Sequence, residues 1–219
     1  MTRTDTQLQA AIDGFRLPGI LIDHRLISAG DELALLPEEN AAFANSVVKV
    51  RRASGAARIV ARELLSRLGH VRCSLRKSES GATIWPDGVT GSLAHDSRVA
   101  LAAIAGRDRM DALGIDIEPA EFLPPDLLDI VATLQERQMI GNDLLAARLL
   151  FVVKEAVYKA VHPLDRKFLE HKDVEVDLSA HVAYVRNGRV VDFRYRISTH
   201  MVAVAFIAAS LQAPNSNGG

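Results

Sequence analysis

The chain has 219 residues, of which 48% are hydrophobic and 24% charged, as in ordinary globular proteins and unlike disordered ones. Its formal net charge of -1 provides no global basic field, so nucleic acid and acidic membranes are not expected partners and any basic site must be local. No apolar run reaches the roughly 18 residues of a membrane span, the first residues lack a signal pattern, and Cys73 is the only cysteine; together these predict a cytoplasmic protein.

The first half of the chain changes from helical to strand-like patterns. Residues 29–68 predict one or two helices, because Pro37 suits a helix start and Gly69 follows the last apolar position. Residues 71–106 predict short strands separated by glycines and ending in the apolar run 99–104. The sequence WPDG at residues 85–88 is typical of a turn.

The second half repeats this order. A polar link at 107–111 precedes a strand around Ile115, and two prolines introduce a helical stretch that extends to about residue 138. A strongly apolar helix is predicted from 144 to 161, ending at Pro163, with one polar strip formed by Lys154, Glu155, Tyr158 and Lys159. Strands are predicted at 174–178, 182–186, 190–197 and 201–208, with a hairpin turn at Asn187 and Gly188.

The repeated order predicts an α+β fold of two similar subdomains related by a pseudo-twofold axis, with the active site in the cleft between them. The expected boundaries are 1–108 for a coenzyme-binding N-terminal subdomain and 109–213 for a C-terminal subdomain with the metal and catalytic motifs. Residues 214–219 are expected to be a disordered tail. Residue-level similarity between the halves is not evident, so this pseudo-symmetry depends on pattern alone.

Two acidic segments carry the strongest chemical signal. In a strand, Asp116 and Glu118 of the sequence GIDIE share one face. In a helix, Glu155 and Lys159 lie one turn apart on one face. Carboxylate oxygens are the ligands that Mg²⁺ prefers, and a lysine beside them suits phosphate. The alternatives are an exposed edge strand and an ordinary helix-surface ion pair.

Four sequence motifs in fixed order extend this signal to a family. They are WPDG at 85–88, GSLAH at 91–95, GIDIE at 114–118 and KEAVYKA at 154–160. In these, and more weakly over residues 35–178, the chain resembles the 4′-phosphopantetheinyl transferases of the surfactin-synthetase-activating (Sfp) and enterobactin-synthase types. The resemblance implies transfer of the phosphopantetheine arm of coenzyme A to a serine of an apo acyl or peptidyl carrier protein, with release of 3′,5′-adenosine bisphosphate.

The resemblance also implies roles for individual residues. Asp116, Glu118 and Glu155 are expected to hold Mg²⁺, and Glu155 also to receive the serine proton. Lys159 is expected to stabilise the phosphate and to protonate the leaving group. The remaining residues expected to bind coenzyme A are Arg51, Arg58, Lys77, Ser92 and His95.

One position departs from the family pattern, because many relatives have cysteine after the histidine where this chain has Asp96; no role is assigned to it. We expect a monomer that serves carrier proteins of polyketide, nonribosomal peptide or fatty-acid synthesis, docked around residues 123–143. Two other functions use the same residues. A metal-dependent phosphohydrolase or nuclease would release phosphate without a carrier protein, and a non-catalytic coenzyme A binding module would bind without forming product.

Overall fold

The structure is a computed structural model that describes residues 5–210; the expected tail at 214–219 lies outside this range. The helices are α1 (Thr6–Asp13), α2 (Pro37–Asn40), α3 (Val48–Arg67), α4 (Leu128–Val131), α5 (Leu134–Ile140) and α6 (Leu144–Asp165). The strands are β1 (Ile20–Leu26), β2 (Val89–His95), β3 (Val99–Gly106), β4 (Met110–Pro119), β5 (Val174–Asp177), β6 (Val182–Val185), β7 (Val190–Ile197) and β8 (His200–Ala208).

The N-terminal half, which runs to the end of β3, is an antiparallel sheet in the order β1-β3-β2. Helix α3 packs on it through Val60 and Leu64, which join Ile104 of β3 in one buried cluster. The predicted helix ending near Gly69 is confirmed. The strands predicted before Gly88 are wrong, because this segment is a loop that pairs only through an isolated bridge between Lys77 and Thr83.

The C-terminal half, from β4 onward, is an antiparallel sheet in the order β4-β8-β7-β6-β5 with α6 packed against β4 and β8. All four strands predicted after residue 173 are confirmed. The predicted end of α6 is wrong, because the helix includes Pro163 and ends at Asp165. A proline in the last turn removes only one backbone hydrogen bond, so the helix continues past it.

The two halves share one topology. In order, β1, β3 and β2 with α3 correspond to β4, β8 and β7 with α6, and the C-terminal half adds β5 and β6 at the sheet edge. The predicted α+β fold of two similar halves is therefore confirmed. The expected boundary at residue 108 falls in the turn between Gly106 and Met110. Within residues 5–210, the helices are all too short or too polar to cross a bilayer.

Candidate active site

A close approach of β4 to α6 brings the acidic segments together. A Cβ atom at Gly114 would lie 2.0 Å from the carbonyl oxygen of Ala156, so only glycine permits this contact. Ile115 and Ile117 point into the core and are at most 1% exposed. The alternation of the strand therefore turns Asp116 and Glu118 the other way, towards α6.

Each of the three carboxylates has its own basic neighbour. Lys159 donates from Nζ to Asp116 Oδ1 at 2.7 Å and to the carbonyl oxygen of Ile115 at 3.2 Å. The Nη1 of Arg148 lies 3.4 Å from Glu118 Oε2. Sequence reasoning assigned no role to this arginine, although it is on the same helix as the acidic motif.

Glu155 pairs with a residue that is distant from its motif. Its Oε1 lies 3.1 Å from His171 Nε2, which is within the distance of an ion pair. The two atoms are not aligned for a hydrogen bond. The ring of His171 is stacked on Phe151, one turn before Glu155 on α6, with centroids 5.2 Å apart. His171 belongs to none of the sequence motifs, so the sequence alone does not predict its place beside Glu155.

The protein environment gives the three carboxyl groups different pKa values. Burial raises the pKa of Asp116, and the charge of Lys159 opposes this effect. Burial and then the charge of Asp116 raise the pKa of Glu118. The contact with His171 lowers the pKa of Glu155 against a smaller opposing effect of burial. Glu155 is therefore held ionised, whereas the β4 carboxyls lie where extra negative charge is unfavourable.

The donor chemistry of this cluster fits a hard divalent cation. The oxygens come from carboxylates, and the raised pKa values of Asp116 and Glu118 show that a nearby positive charge would be favourable. In the described part of the chain, however, no three His, Cys, Asp or Glu side chains are close enough together to hold a metal ion. The neighbouring cations compensate the carboxylates in this arrangement.

A cavity of about 300 Å³ opens between the two halves beside this cluster. Five of the six residues predicted to bind coenzyme A line it: Arg58, Lys77, Ser92, His95 and Lys159. Arg51 is not among the lining residues, and its Nη2 donates to Asn40 Oδ1 at 3.4 Å.

Arg58 is the most buried cation of the cavity, at 2% exposure. Its Nε donates to the carbonyl oxygen of Leu75 at 3.0 Å, and its Nη1 donates to that of Ser54 at 3.2 Å. The buried Nη2 has no hydrogen-bond partner among the described residues. Because Arg58 also lines the cavity, this buried nitrogen without an acceptor favours an anionic ligand there.

Lys77 adds a second positive charge close to Arg58. Both cations lie over the ring of Phe43, with Nζ of Lys77 4.8 Å and Cζ of Arg58 5.0 Å from its centroid. Burial lowers the pKa of Lys77, and the charge of Arg58 lowers it further. An anion between the two would relieve this repulsion.

His95 and Ser92 form the β2 side of the cavity. His95 is exposed at the rim, yet the cavity walls desolvate its ring enough to lower its pKa, with the charge of Lys159 as a smaller contribution. Ser92 is 6% exposed and faces the same space. The nearby Trp85 lines the cavity and also packs against the buried cluster that joins α3 to β3.

The predicted polar strip of α6 requires one correction. Lys154 is 1% exposed and donates from Nζ to Glu136 Oε2 at 2.6 Å and to the carbonyl oxygens of Val131 at 2.8 Å and His171 at 3.0 Å. Adjacent helical residues are rotated by about 100°, so Lys154 points away from Glu155 into the protein. The strip that faces the cavities consists of Glu155, Tyr158 and Lys159.

Tyr158 borders both the cation-lined cavity and a second cavity of about 580 Å³ that contains Glu155. Large apolar side chains are exposed to solvent around this second cavity. Phe168 and Ile130 line it with exposures of 78% and 56%, and Leu134 is 85% exposed at the start of α5. The position of Tyr158 between the two cavities depends on the packing of other elements, so its sequence motif does not predict it.

A cation-lined cavity that ends at a lysine and a set of carboxylates suits an enzyme acting on a polyphosphate substrate. The family model for the 4′-phosphopantetheinyl transferase N-terminal domain matches residues 38–105, and that for the 4′-phosphopantetheinyl transferase superfamily matches residues 112–206.

Similarity to individual proteins agrees with these matches. The chain is 38% identical to the 4′-phosphopantetheinyl transferase Npt of Nocardia iowensis, over 73% of each chain. It is 37% identical to the 4′-phosphopantetheinyl transferase PptT of Mycobacterium tuberculosis, over 66% of this chain and 65% of the relative. Enterobactin synthase component D of Salmonella typhimurium is 37% identical over 48% of this chain and 45% of its own length. The chain therefore belongs to the 4′-phosphopantetheinyl transferase superfamily, and the predicted family and enzyme class are confirmed.

Proposed function

We propose that this chain transfers the 4′-phosphopantetheine arm of coenzyme A to a serine of an apo acyl or peptidyl carrier protein, with Mg²⁺, and releases 3′,5′-adenosine bisphosphate. One observation carries the proposal. Lys159 lines the cation-rich cavity and at the same time bonds Asp116 at 2.7 Å, so the anion-binding space and the carboxylates form one continuous site.

The phosphates of coenzyme A bind among Arg58, Lys77 and His95. The support for this assignment is the unpartnered Nη2 of Arg58 and the repulsion between Arg58 and Lys77, which a phosphate would remove. Serine hydroxyl and guanidinium donors are common phosphate ligands, so Ser92 belongs to the same set. Arg51 lies outside this cavity, and we give it no direct contact with coenzyme A.

Glu155 accepts the hydroxyl proton of the carrier serine while the serine Oγ attacks the β-phosphorus of coenzyme A. The new bond is Oγ–P, and the bond that breaks joins this phosphorus to the bridging oxygen, which leaves with 3′,5′-adenosine bisphosphate. Glu155 can act as the base because it lines the second cavity and, with a lowered pKa, is ionised and able to accept a proton. Lys159 binds the phosphate and donates a proton to the leaving bridging oxygen.

Asp116, Glu118 and Glu155 would hold the Mg²⁺, and because they are too far apart to share one ion in this structure, binding would require them to move closer together. When bound, the cation supplies Lewis-acid stabilisation of the negative charge on the pyrophosphate. Lys159 and Arg148 compensate Asp116 and Glu118 in this structure, so both cations are available to follow the phosphates once the carboxylates have another partner.

The carrier protein docks beside the second cavity. Exposed apolar patches rimmed by polar residues mark interaction sites, and Ile130 and Phe168 line the second cavity together with Glu155. Leu134, four residues after Ile130, is a further exposed apolar side chain of the same segment. This surface overlaps the 123–143 segment expected from the sequence. A serine delivered here reaches Glu155 through the second cavity, which shares Tyr158 with the cation-lined cavity.

The remaining expectations stay part of the proposal. Residues 1–108 form the coenzyme-binding subdomain and 109–213 the catalytic one, and one chain supplies both walls of the cleft, so a monomer suffices. The single cysteine suits the reducing cytoplasm. The carriers served are those of polyketide, nonribosomal peptide or fatty-acid synthesis.

The test is chromatographic quantification of 3′,5′-adenosine bisphosphate formed from coenzyme A and Mg²⁺, with and without apo carrier protein. The proposal predicts product only with the carrier, and none with a carrier whose modified serine is replaced by alanine. Carrier-independent breakdown of coenzyme A would instead support the hydrolase. Tight binding without product would support the binding module.

A further inference from the structure

A buried pair of side chains joins the two halves of the protein beside the site. Asp96, in the turn after β2, has Oδ2 3.0 Å from Nε2 of His200, the first residue of β8. This is an ion-pair distance with an angle outside the hydrogen-bond range. The side chains are 6% and 4% exposed, so the pair is removed from solvent.

Each partner is also held within its own half. Oδ1 of Asp96 accepts the backbone N–H groups of Arg98 and Val99, both at 2.6 Å. Nδ1 of His200 lies 3.0 Å from the hydroxyl of Thr199. Burial acts to raise the pKa of Asp96, but His200 and the two amides outweigh it and lower the pKa, so the carboxylate is ionised.

The pair lies between the two groups of functional residues. Asp96 directly follows His95 of the cation-lined cavity. On the other side, His200 faces Pro119 across the β4–β8 ladder, next to the Glu118–Met201 pair. A shift of the β2–β3 turn relative to β8 would therefore move His95 relative to the carboxylates of β4.

We propose that Asp96 and His200 are positioning residues whose contact fixes His95, and with it the β2 wall of the cavity, at the distance from β4 that coenzyme A requires. This inference depends on the proposed function, because it assigns the pair to the coenzyme A site. It gives a role to the position at which this chain has aspartate where many relatives have cysteine.

The test measures coenzyme A binding by isothermal titration calorimetry, and separately KM and kcat, for the full-length wild type, His200→Ala and His200→Gln. We expect His200→Ala to weaken binding and raise KM for coenzyme A about 10-fold while kcat changes less than about two-fold, because the pair does not touch the reacting atoms. The amide of His200→Gln can donate to Asp96, so this variant should recover most of the affinity.

The matched control is Asp31→Asn. The side chain of Asp31 is also 6% exposed, pairs with Arg25 at 2.7 Å and accepts a backbone N–H from Ser28 at 2.8 Å, but both its partners are in the N-terminal half. The Asp31→Asn variant should therefore have a lower thermal stability but an unchanged affinity for coenzyme A. If His200→Ala does not fold, Asp96→Asn replaces it, since Oδ1 remains to accept the two amides.

The outcomes separate the two proposals. A wild type that does not bind coenzyme A would overturn the proposed function itself. A wild type that binds it, together with unchanged affinity in His200→Ala and Asp96→Asn, would overturn the positioning role alone. Equal loss of affinity in His200→Ala and Asp31→Asn would also overturn it, because the effect would then follow general destabilisation.

Discussion

The two halves contain corresponding buried glutamates, Glu39 and Glu136, both 0% exposed. Each stands in the first turn of a short helix and accepts the backbone N–H of the residue before that helix, from Leu36 at 2.9 Å and from Thr133 at 2.8 Å. Each also accepts a distant backbone N–H, from Leu75 at 2.7 Å and from Val176 at 2.8 Å. The halves thus share a polar framework as well as a topology.

The basic partners of these glutamates, on the long helices α3 and α6, differ in whether all their hydrogen-bond donors are used within the protein. Arg58 and Lys154 each lie ten residues beyond the first residue of their helices, Val48 and Leu144. All three donors of the Lys154 ammonium are used by protein acceptors, whereas Nη2 of Arg58 has none. In the C-terminal half, the basic side chain is therefore fully bonded within the protein. In the N-terminal half, Nη2 of Arg58 remains available to a ligand.

Under the proposed function, the C-terminal half carries out the chemistry and the N-terminal half binds coenzyme A. The largest effect is expected for Glu155→Gln, which removes the proposed base while keeping the size of the side chain. We expect kcat to fall by about 10² to 10⁴-fold, with a smaller change in KM for coenzyme A. The control is Glu63→Gln, an exposed glutamate on α3, the corresponding helix. Near-normal kcat in Glu155→Gln would remove this residue from the chemistry.

The scaffold role of Lys154 predicts a loss of folding stability. Lys154→Met leaves Glu136 buried without its charged partner, which should lower the free energy of unfolding by about 3–5 kcal/mol. Urea unfolding followed by circular dichroism measures this change. Arg58→Met should cost less, because Arg62 still pairs with Glu39 at 2.9 Å. Equal or reversed losses would contradict the difference between the halves.

The binding role of the N-terminal half predicts that its cations affect affinity more than turnover. Lys77→Met should raise KM for coenzyme A about 10-fold with kcat nearly unchanged, because a phosphate contact away from the reacting bond contributes uniform binding. Lys49→Met, at an exposed lysine outside the cation-lined cavity, provides the same chemical change as a control. A fall in kcat with constant KM would place Lys77 in the chemical step instead.

Carrier docking should depend on one half only. Leu134→Glu in the C-terminal half is expected to raise KM for the carrier protein several-fold, about 5-fold, because it places a charge in an apolar contact. Leu33→Glu is a close control, since Leu33 is 84% exposed and Leu134 85%. Steady-state assays at saturating coenzyme A measure both. Similar values for the two variants would argue against docking at the second cavity.

The smallest effect is expected at Arg51. This residue lies outside the cation-lined cavity, so Arg51→Ala should change KM for coenzyme A by less than about two-fold. Calorimetric titration with coenzyme A provides an independent check. A large loss of affinity would show that the phosphates extend beyond the cavity, as the family resemblance implies.

Short-range patterns predicted those parts of the fold and site that depend on them. The alternation of residues 114–118 and the spacing of Glu155 and Lys159 place side chains on known faces once strand and helix are assigned, and the structure agrees. The regular alternation of β7 and the turn at Gly188, where φ is +89°, are equally local. Strand β1 was not predicted, although its run Ile20-Leu21-Ile22 is a β-type signal.

The rest depends on contacts between distant residues. Lys154 can be buried because Glu136, from α5, pairs with it. Glu155 contacts His171 because the chain after α6 returns to the side of that helix. Likewise, Asp96 and His200 are far apart in sequence and meet only because the halves pack together. A sequence motif names the residues on one element, but it does not state which side chains other elements bring to them.

Transfer of phosphopantetheine to a carrier serine can be observed by intact mass spectrometry of an apo carrier protein. The carrier is incubated with this protein, coenzyme A and Mg²⁺, and in parallel with a chelator. We expect a gain of one phosphopantetheine mass on the carrier and no gain with the chelator. An unchanged mass for both acyl and peptidyl carriers would contradict it, and a gain that persists with the chelator would contradict the Mg²⁺ requirement.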